Sequence, residues 1–244
     1  MAANEYARWF RGSTPYISAH RNKTFVILLT SKALKHVNLT NIIHDLALLH
    51  VLGVKIVLVH GAREQIDERL GSNAKKFHND RRITDADSIS SIAEINGGIR
   101  TALEALFSTG LPNSPLHNVD IPVISGNFVI AQPIGIVDGI DHLFTGEVRK
   151  VEKVRVRSTL DAGGLLLQSP VGFSNSGQAF NLSAENLAAE IAIQIKADKL
   201  IVLDDFIVTN KANERVSTFT PTALEQVKLD HSIQQGHRLA AMSK

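Results

Sequence analysis

The sequence of 244 residues contains no cysteine. That excludes a disulfide framework, a zinc–thiolate site and a cysteine nucleophile, and it fits a cytoplasmic location. No run of about 18 apolar residues occurs, so no membrane-spanning helix is expected. The N-terminus, "MAANEYARWFRGS", has no long apolar stretch and carries Glu5, which excludes a secretory signal. Neither sign of charge dominates. The 26 Lys and Arg against 24 Asp and Glu are mixed along the chain, leave a net charge of +2 and form no basic stripe. Nucleic acid is therefore not an expected partner. There is no internal repeat and no low-complexity tract. The ten histidines show no HExxH spacing, so no metal site is expected. No GxSxG elbow is present. The nearest approach to an acetyl-CoA loop, Gln132-Pro133-Ile134-Gly135, lacks the following small residue and reads as strand.

What is present is enough apolar material for a real core, 44% of the residues. The length suits one large α/β domain or two small ones. "FVILL" reads as a buried strand, and "NLTNIIHDLALLHVLG" as a helix with Ile42, Leu46 and Leu49 on one face and Gly53 as its stop. "VKIVLVHGAR" is a second buried strand, whose β-branched run points to a parallel sheet. Strand, helix and strand make one βαβ unit, and ligands of such sheets sit at the carboxyl edge. "REQIDERL" starts another helix. "HNDRRITDADSIS" reads as a polar connection in which Asp85 or Asp87 caps the next helix, "SIAEINGGIRTALEALF", which Gly97 and Gly98 weaken. The stretch "IPVISGNFVIAQPIGIVDGIDHLFTGEVRKVE" reads as inserted antiparallel hairpins. The α/β pattern returns in "GGLLLQSPVGFS". A helix with Leu187, Ile191 and Ile195 in line follows, then the strand "DKLIVLDD" and a last helix beginning at "TPTALEQVKLD".

Several residues stand where chemistry is done, each with a plainer reading beside it. Thr30 and Ser31 follow the first strand, where a phosphate loop would carry glycines, and the strand holds Leu28. Gly61 permits close backbone approach, and Arg63 after it can fork onto a carboxylate or phosphate; it reads equally as a surface arginine in a turn. Arg81 and Arg82 by themselves read as a solvated pair. Asn181, Ser183 and Glu185 precede a helix that Ser183 can cap, with Glu185 favourable in its first turn. Tyr6, Trp9 and Phe10 share a helical face that either packs on its own domain or grips a second subunit.

In order and approximate spacing, "ILLTSKAL", "VHGAR", "RRITD" and "NLSAE" resemble the site segments of the amino-acid kinase family. That family typically has a lysine and a Gly-Gly loop after strand one, an "HGGG"-like turn, an "RVTD" and an "N-x-N-A-D" segment. Longer stretches, "SGNFVIAQPIG" above all, resemble the N-terminal domain of the bacterial N-acetylglutamate synthase branch. The resemblance implies a three-layer αβα sandwich with a mainly parallel central sheet, as in carbamate kinases, and inserted β-hairpins. It implies a regulatory domain without kinase activity, carrying arginine feedback inhibition and oligomer contacts. Acetyl transfer from acetyl-CoA to glutamate belongs to a C-terminal domain. That domain is absent where the chain stops at Lys244, so no cofactor is expected in this chain.

The expected organisation is an N-terminal helix over 1–20 as an oligomer contact and a truncated kinase-like domain over 21–244. By position, Gly61, Arg63, Arg82 and Asn181 match the family's acyl-amino-acid pocket. Arg82 would take the ligand's carboxylate and Asn181 an amide; glutamate, N-acetylglutamate or arginine is the expected amino-acid ligand, and the resemblance implies an arginine site elsewhere, near the N-terminal helix and the C-terminal part of the domain. Leu28 at the lysine position, with Thr30, Ser31 and Glu185, marks a degenerate nucleotide site, so the chain is expected to be catalytically silent. The alternatives are a stand-alone amino-acid-binding or oligomerisation module, partnered by a separate acetyltransferase, and a divergent amino-acid kinase.

Overall fold

Unbroken apolar runs become strands when both of their faces are covered, and the first two strands show this directly. In the computed structural model every residue from Phe25 to Leu29 and from Ile56 to His60 is buried. The structure describes residues 2–71, 76–109 and 120–205, with 215, 216, 218 and 220. Within the first helix it describes the side chains at 8 and from 11 onward.

In chain order the elements begin with α1 (Ala2–His20), β1 (Thr24–Leu29), α2 (Leu39–Val51), β2 (Lys55–His60) and α3 (Arg63–Leu70). There follow β3 (Phe77–His78), β4 (Arg81–Arg82), α4 (Ala86–Ser108), β5 (Val123–Ser125), β6 (Val129–Pro133), β7 (Ile136–Val137) and β8 (Ile140–Asp141). The described part closes with β9 (Gly146–Val151), α5 (Lys153–Asp161), β10 (Leu165–Gln168), β11 (Val171–Phe173), β12 (Ala179–Asn181), α6 (Ala184–Ile195) and β13 (Lys199–Leu203).

The main sheet has five strands in the order β13-β1-β2-β10-β5, and every pairing is parallel. The two faces of its strands feed two cores, as the two-residue period of a strand requires. Phe25, Ile27, Leu29, Ile56 and Leu58 pack with Ile43 and Leu46 of α2 and Leu103 and Phe107 of α4. Val26, Leu28, Val57 and Val59 pack with Leu160 of α5 and Leu187, Ile191 and Ile195 of α6. The result is helix layer, sheet and helix layer. A second sheet, β12-β11-β6-β9, lies against α6, and the hairpins β3–β4 and β7–β8 stand apart from both sheets. Gly53 ends α2 at φ 95°, in the left-handed region that a β-carbon disfavours. Asp85 caps α4 by accepting from the Ser88 amide at 2.9 Å.

Three expectations are corrected. Val123–Ser125, assigned to the hairpin region, is instead the parallel edge of the main sheet beside β10. Both edges of that pairing are short and apolar, so composition alone does not separate it from a hairpin arm. Arg81 and Arg82 do not lie in a plain connection. They form one arm of a hairpin whose turn residues, Asn79 and Asp80, have φ 48° and 59°. Two left-handed residues make the tight turn that suits a two-residue hairpin. Third, only Gln132 and Pro133 of the Gln132–Gly135 stretch are strand; Gly135, at φ 78°, turns the chain towards β7. The side chains of Tyr6, Trp9 and Phe10 and the helix expected from "TPTALEQVKLD" lie outside the described residues.

Candidate functional site

The carboxyl ends of β1 and β2 lie side by side, because Leu28 pairs with Val59 and Leu29 with His60 in a parallel ladder. The loops after them form the floor of a cleft enclosing about 850 Å³, part of it open solvent. The eight residues assigned to the acyl-amino-acid pocket and the degenerate nucleotide site all line this one cleft: Leu28, Thr30, Ser31, Gly61, Arg63, Arg82, Asn181 and Glu185. They come from four stretches of chain, β1 with its turn, the β2–α3 junction, the β3–β4 hairpin and the β12–α6 junction.

The floor is closed by backbone. Gly61 donates to the Leu29 carbonyl at 2.7 Å. A β-carbon at Gly61 would stand 2.6 Å from the Ser31 nitrogen. The close approach that glycine allows here is therefore to the Thr30–Ser31 turn itself. Thr30 Oγ1 accepts from the Ala33 amide at 3.3 Å, and the Ser31 carbonyl accepts from Gln65 Nε2 at 3.2 Å. Leu28 is fully buried, in the core shared with α6. Lys32, the next cation along, lies 3.3 Å from Asp205, at the end of β13.

Beneath the floor, His60 is fully buried at the end of β2. Its Nδ1 lies 3.1 Å from the Gly61 carbonyl, which can only accept, so Nδ1 carries the proton. Nε2 then accepts from the Ser169 hydroxyl at 2.9 Å. Burial, helped by the charge of Arg100, holds its pKa down at about 4. The imidazole is neutral at pH 7 and acts as a peg between two loops of the carboxyl edge.

One wall is cationic. Arg63 begins α3 and donates to the Asp80 carbonyl at 2.8 Å. Arg82 is buried and ion-pairs with Asp67. Both guanidinium groups stack over the ring of Phe77, at 5.0 and 4.7 Å from its centre. Such stacking fixes the planes of two forks that match carboxylate geometry.

The opposite wall is α6 and the strand before it. Ser183 caps α6 by accepting from the Asn186 amide at 3.2 Å, and its hydroxyl donates to Glu185 at 2.8 Å. Asn181 donates through Nδ2 to Thr84 Oγ1 at 3.0 Å. Thr84 Oγ1 lies 3.0 Å from Thr145 Oγ1, which in turn donates to the Arg82 carbonyl. One proton direction satisfies this run: Asn181 to Thr84, Thr84 to Thr145, Thr145 to Arg82. A buried polar chain thus ties Asn181 and Arg82 into one frame. Thr84 lies in "RRITD" and Thr145 in the stretch "IPVISGNFVIAQPIGIVDGIDHLFTGEVRKVE". A lone threonine gives no pattern by which sequence can mark it. Among the described residues, no group of three or more His, Asp or Glu side chains is placed to hold a metal, and no helix is long and apolar enough to cross a membrane.

Similarity to known proteins agrees with this geometry. Residues 23–226 match the model of the amino acid kinase family. The chain is 45% identical over 200 residues to an amino-acid acetyltransferase of Azotobacter vinelandii, covering 81% of this chain and 46% of that protein. An amino-acid acetyltransferase of Pseudomonas aeruginosa is 42% identical over the same shares. The chain thus spans about half the length of the curated relatives it matches. Among solved structures it resembles N-acetylglutamate synthase from Neisseria gonorrhoeae complexed with coenzyme A and L-arginine. That match has TM-score 0.86 at 28% identity, over 95% of this chain and 55% of that one. Carbamate kinase from Giardia lamblia, with TM-score 0.57 at 13% identity over 90% of this chain and 87% of the other, shares the fold. With the parallel sheet, the cleft at its carboxyl edge and the match over residues 23–226 together, the chain belongs to the amino acid kinase family.

Proposed function

We propose that this chain is the kinase-fold regulatory domain of an N-acetylglutamate synthase, binding a small amino-acid ligand in its cleft and transferring no phosphoryl group. The synthase reaction, acetyl-CoA with glutamate to give N-acetylglutamate, would reside in an acetyltransferase part. The single observation that carries this reading is the asymmetry of the cleft. Its arginine wall and Asn181 are tied into one frame through Thr84 and Thr145, while its phosphate side carries Leu28, Thr30 and Ser31 in place of a lysine and glycines.

Phosphoryl transfer depends on positioning and on charge stabilisation around the moving group. At the lysine position the side chain is Leu28, turned into the core. Lys32 pairs with Asp205 and is not among the residues lining the cleft. The β-carbons of Thr30 and Ser31 stand where glycines would let a phosphate approach. Each lost stabilising donor lowers a rate by roughly 10²–10³. The carboxylate side of the ligand is different: Arg63 and Arg82 present stacked guanidinium groups, the geometry that recognises carboxylates.

The related gonococcal structures are complexes with L-arginine and with N-acetyl-glutamate, which names the ligands to try. Calorimetry with glutamate, N-acetylglutamate and arginine is expected to show binding of at least one, weakened about tenfold or more in Arg82→Ala. Incubation with ATP and N-acetylglutamate is expected to yield no acyl phosphate. Acyl phosphate formation would sink the silent-domain part, and silence from all three ligands would sink the binding part.

A further inference from the structure

Outside the cleft's lining, the two free-standing hairpins meet through a cluster that the proposed function does not use. Asp138 sits in the β7–β8 turn, His78 on β3, and His142 just after β8. His78 Nε2 lies 3.4 Å from Asp138 Oδ2, and His78 Nδ1 lies 3.2 Å from His142 Nε2. Asn79 Nδ2 donates to the same Asp138 oxygen at 3.2 Å. His142 is 1% exposed, and its Nδ1 is buried with no partner among the described residues. This is the opposite of what a purely structural histidine shows, since buried ring nitrogens are normally satisfied.

The proton count follows from the acceptors. The Asp138 carboxylate lies 3.4 Å from His78 Nε2, and its negative charge favours a hydrogen on that nitrogen. With both rings neutral, His78 Nδ1 is an acceptor and His142 Nε2 donates to it, which leaves His142 Nδ1 bare. One added proton keeps the link: His78 becomes an imidazolium against Asp138 and donates through Nδ1 to His142 Nε2, while the neutral His142 ring switches tautomer and carries its hydrogen on Nδ1. A second proton cannot be accommodated. Both facing nitrogens then carry hydrogens 3.2 Å apart, and two cations share a buried contact.

The charged groups around the pair come from every element that meets it: Asp138 from the β7–β8 turn, Asp141 from β8, and Arg81 from β4. Burial, His78 and Arg81 hold the His142 pKa below its ordinary value, while Asp141 acts the other way. The pair connects to the cleft through two residues. Asn79 and Asp80 form the β3–β4 turn, and the Asp80 carbonyl is the acceptor of Arg63 at 2.8 Å.

We propose that Asp138, His78 and His142 form a clasp that holds the Asn79–Asp80 turn, and with it Arg63, at the cleft rim, and that protonating both imidazoles opens it. The clasp stands on the hairpins alone and does not depend on which ligand the cleft takes. Opening lies on the acid side of the ordinary histidine range, because the second proton must enter a buried ring.

Hydrogen exchange followed by mass spectrometry tests this on the full chain. Residues 77–84, corrected for the intrinsic pH dependence of exchange, are expected to lose about tenfold or more of their protection between about pH 7.5 and about pH 5 beyond whatever β1 and β2 lose through the global destabilisation. In His78→Gln the amide donates to Asp138 and accepts from His142 in either protonation state, so this loss is expected to vanish. Nitrogen-15 spectra of the wild-type imidazoles give a reading that needs no variant. His142 should show a bare Nδ1 at neutral pH and carry hydrogens on both ring nitrogens in step with the loss of hairpin protection. The idea is overturned if the wild-type hairpin stays protected in acid, if His78→Gln loses protection as the wild type does, or if His142 stays neutral until the core unfolds.

Discussion

At position 61 a hydrogen atom stands where any other residue places a carbon, and the neighbour that would be struck is backbone. The Ser31 nitrogen lies 2.6 Å from that missing β-carbon, with Thr30 atoms at 3.1 and 3.3 Å. Backbone cannot swing aside as a side-chain end can, so Gly61→Ala must push the β1 turn away from β2. The expected cost is about 1–3 kcal/mol, read as a melting temperature several degrees lower. An unchanged melt would mean that the two loops are not in contact. The sequence marked Gly61 as a place of close approach, which was right in kind. It could not show that what approaches is the Thr30–Ser31 turn, because that contact joins residues thirty positions apart. Arg82 has a similar history. Read alone it was one of two solvated arginines. Folded, it is buried against Asp67 and stacked on Phe77.

Among the elements, α4 keeps its helix through a pair of glycines. Glycine in a helix interior costs roughly 0.5–1 kcal/mol against alanine, because it gives up more freedom on folding. Among the described residues, and apart from the helix's own backbone, nothing lies within 4 Å of where a β-carbon at Gly97 or Gly98 would stand, so no contact among them explains the glycines. Replacing both by alanine is expected to stabilise the protein by about 1–2 kcal/mol in a urea titration. Loss of stability instead would show that something rests on that face. The helices and the central strands were legible because a burial pattern repeats along each of them. Leu187, Ile191 and Ile195 are all in the core, as their spacing required. The short hairpins were only half legible. "DG" in "GIVDGID" carries a known turn preference, whereas the Asn79–Asp80 turn gave β3 and β4 just two residues each, too few to show alternation.

For the whole molecule, acid is the expected weakness. His60 has a folded pKa of about 4 against an ordinary 6.5. Above pH 6.5 the ring is neutral in both folded and unfolded chains, and the difference has no effect. As the pH falls, the unfolded chain takes a proton that the folded one refuses, so stability drops progressively towards pH 4. His142, also held low by burial, acts in the same direction. Denaturant titrations at about pH 7.5 and about pH 4.5 should differ by about 2–3 kcal/mol from His60, and His60→Gln should remove most of that share. A fall that His60→Gln leaves intact would place the acid sensitivity elsewhere.

By itself the sequence determined the βαβ opening and the buried parallel strands, because these rest on periodicity along the chain, while the layered architecture and the motif order of the site were legible through the resemblance to the amino-acid kinase family. Only the tertiary structure decided what those residues face. It set Gly61 against Ser31, paired Lys32 with Asp205, chained Asn181 through Thr84 and Thr145 to Arg82, and brought His78 to His142. Each of these contacts joins separate stretches of chain. A spacing rule acts within one element, while a contact between elements depends on how the sheet and the hairpins pack.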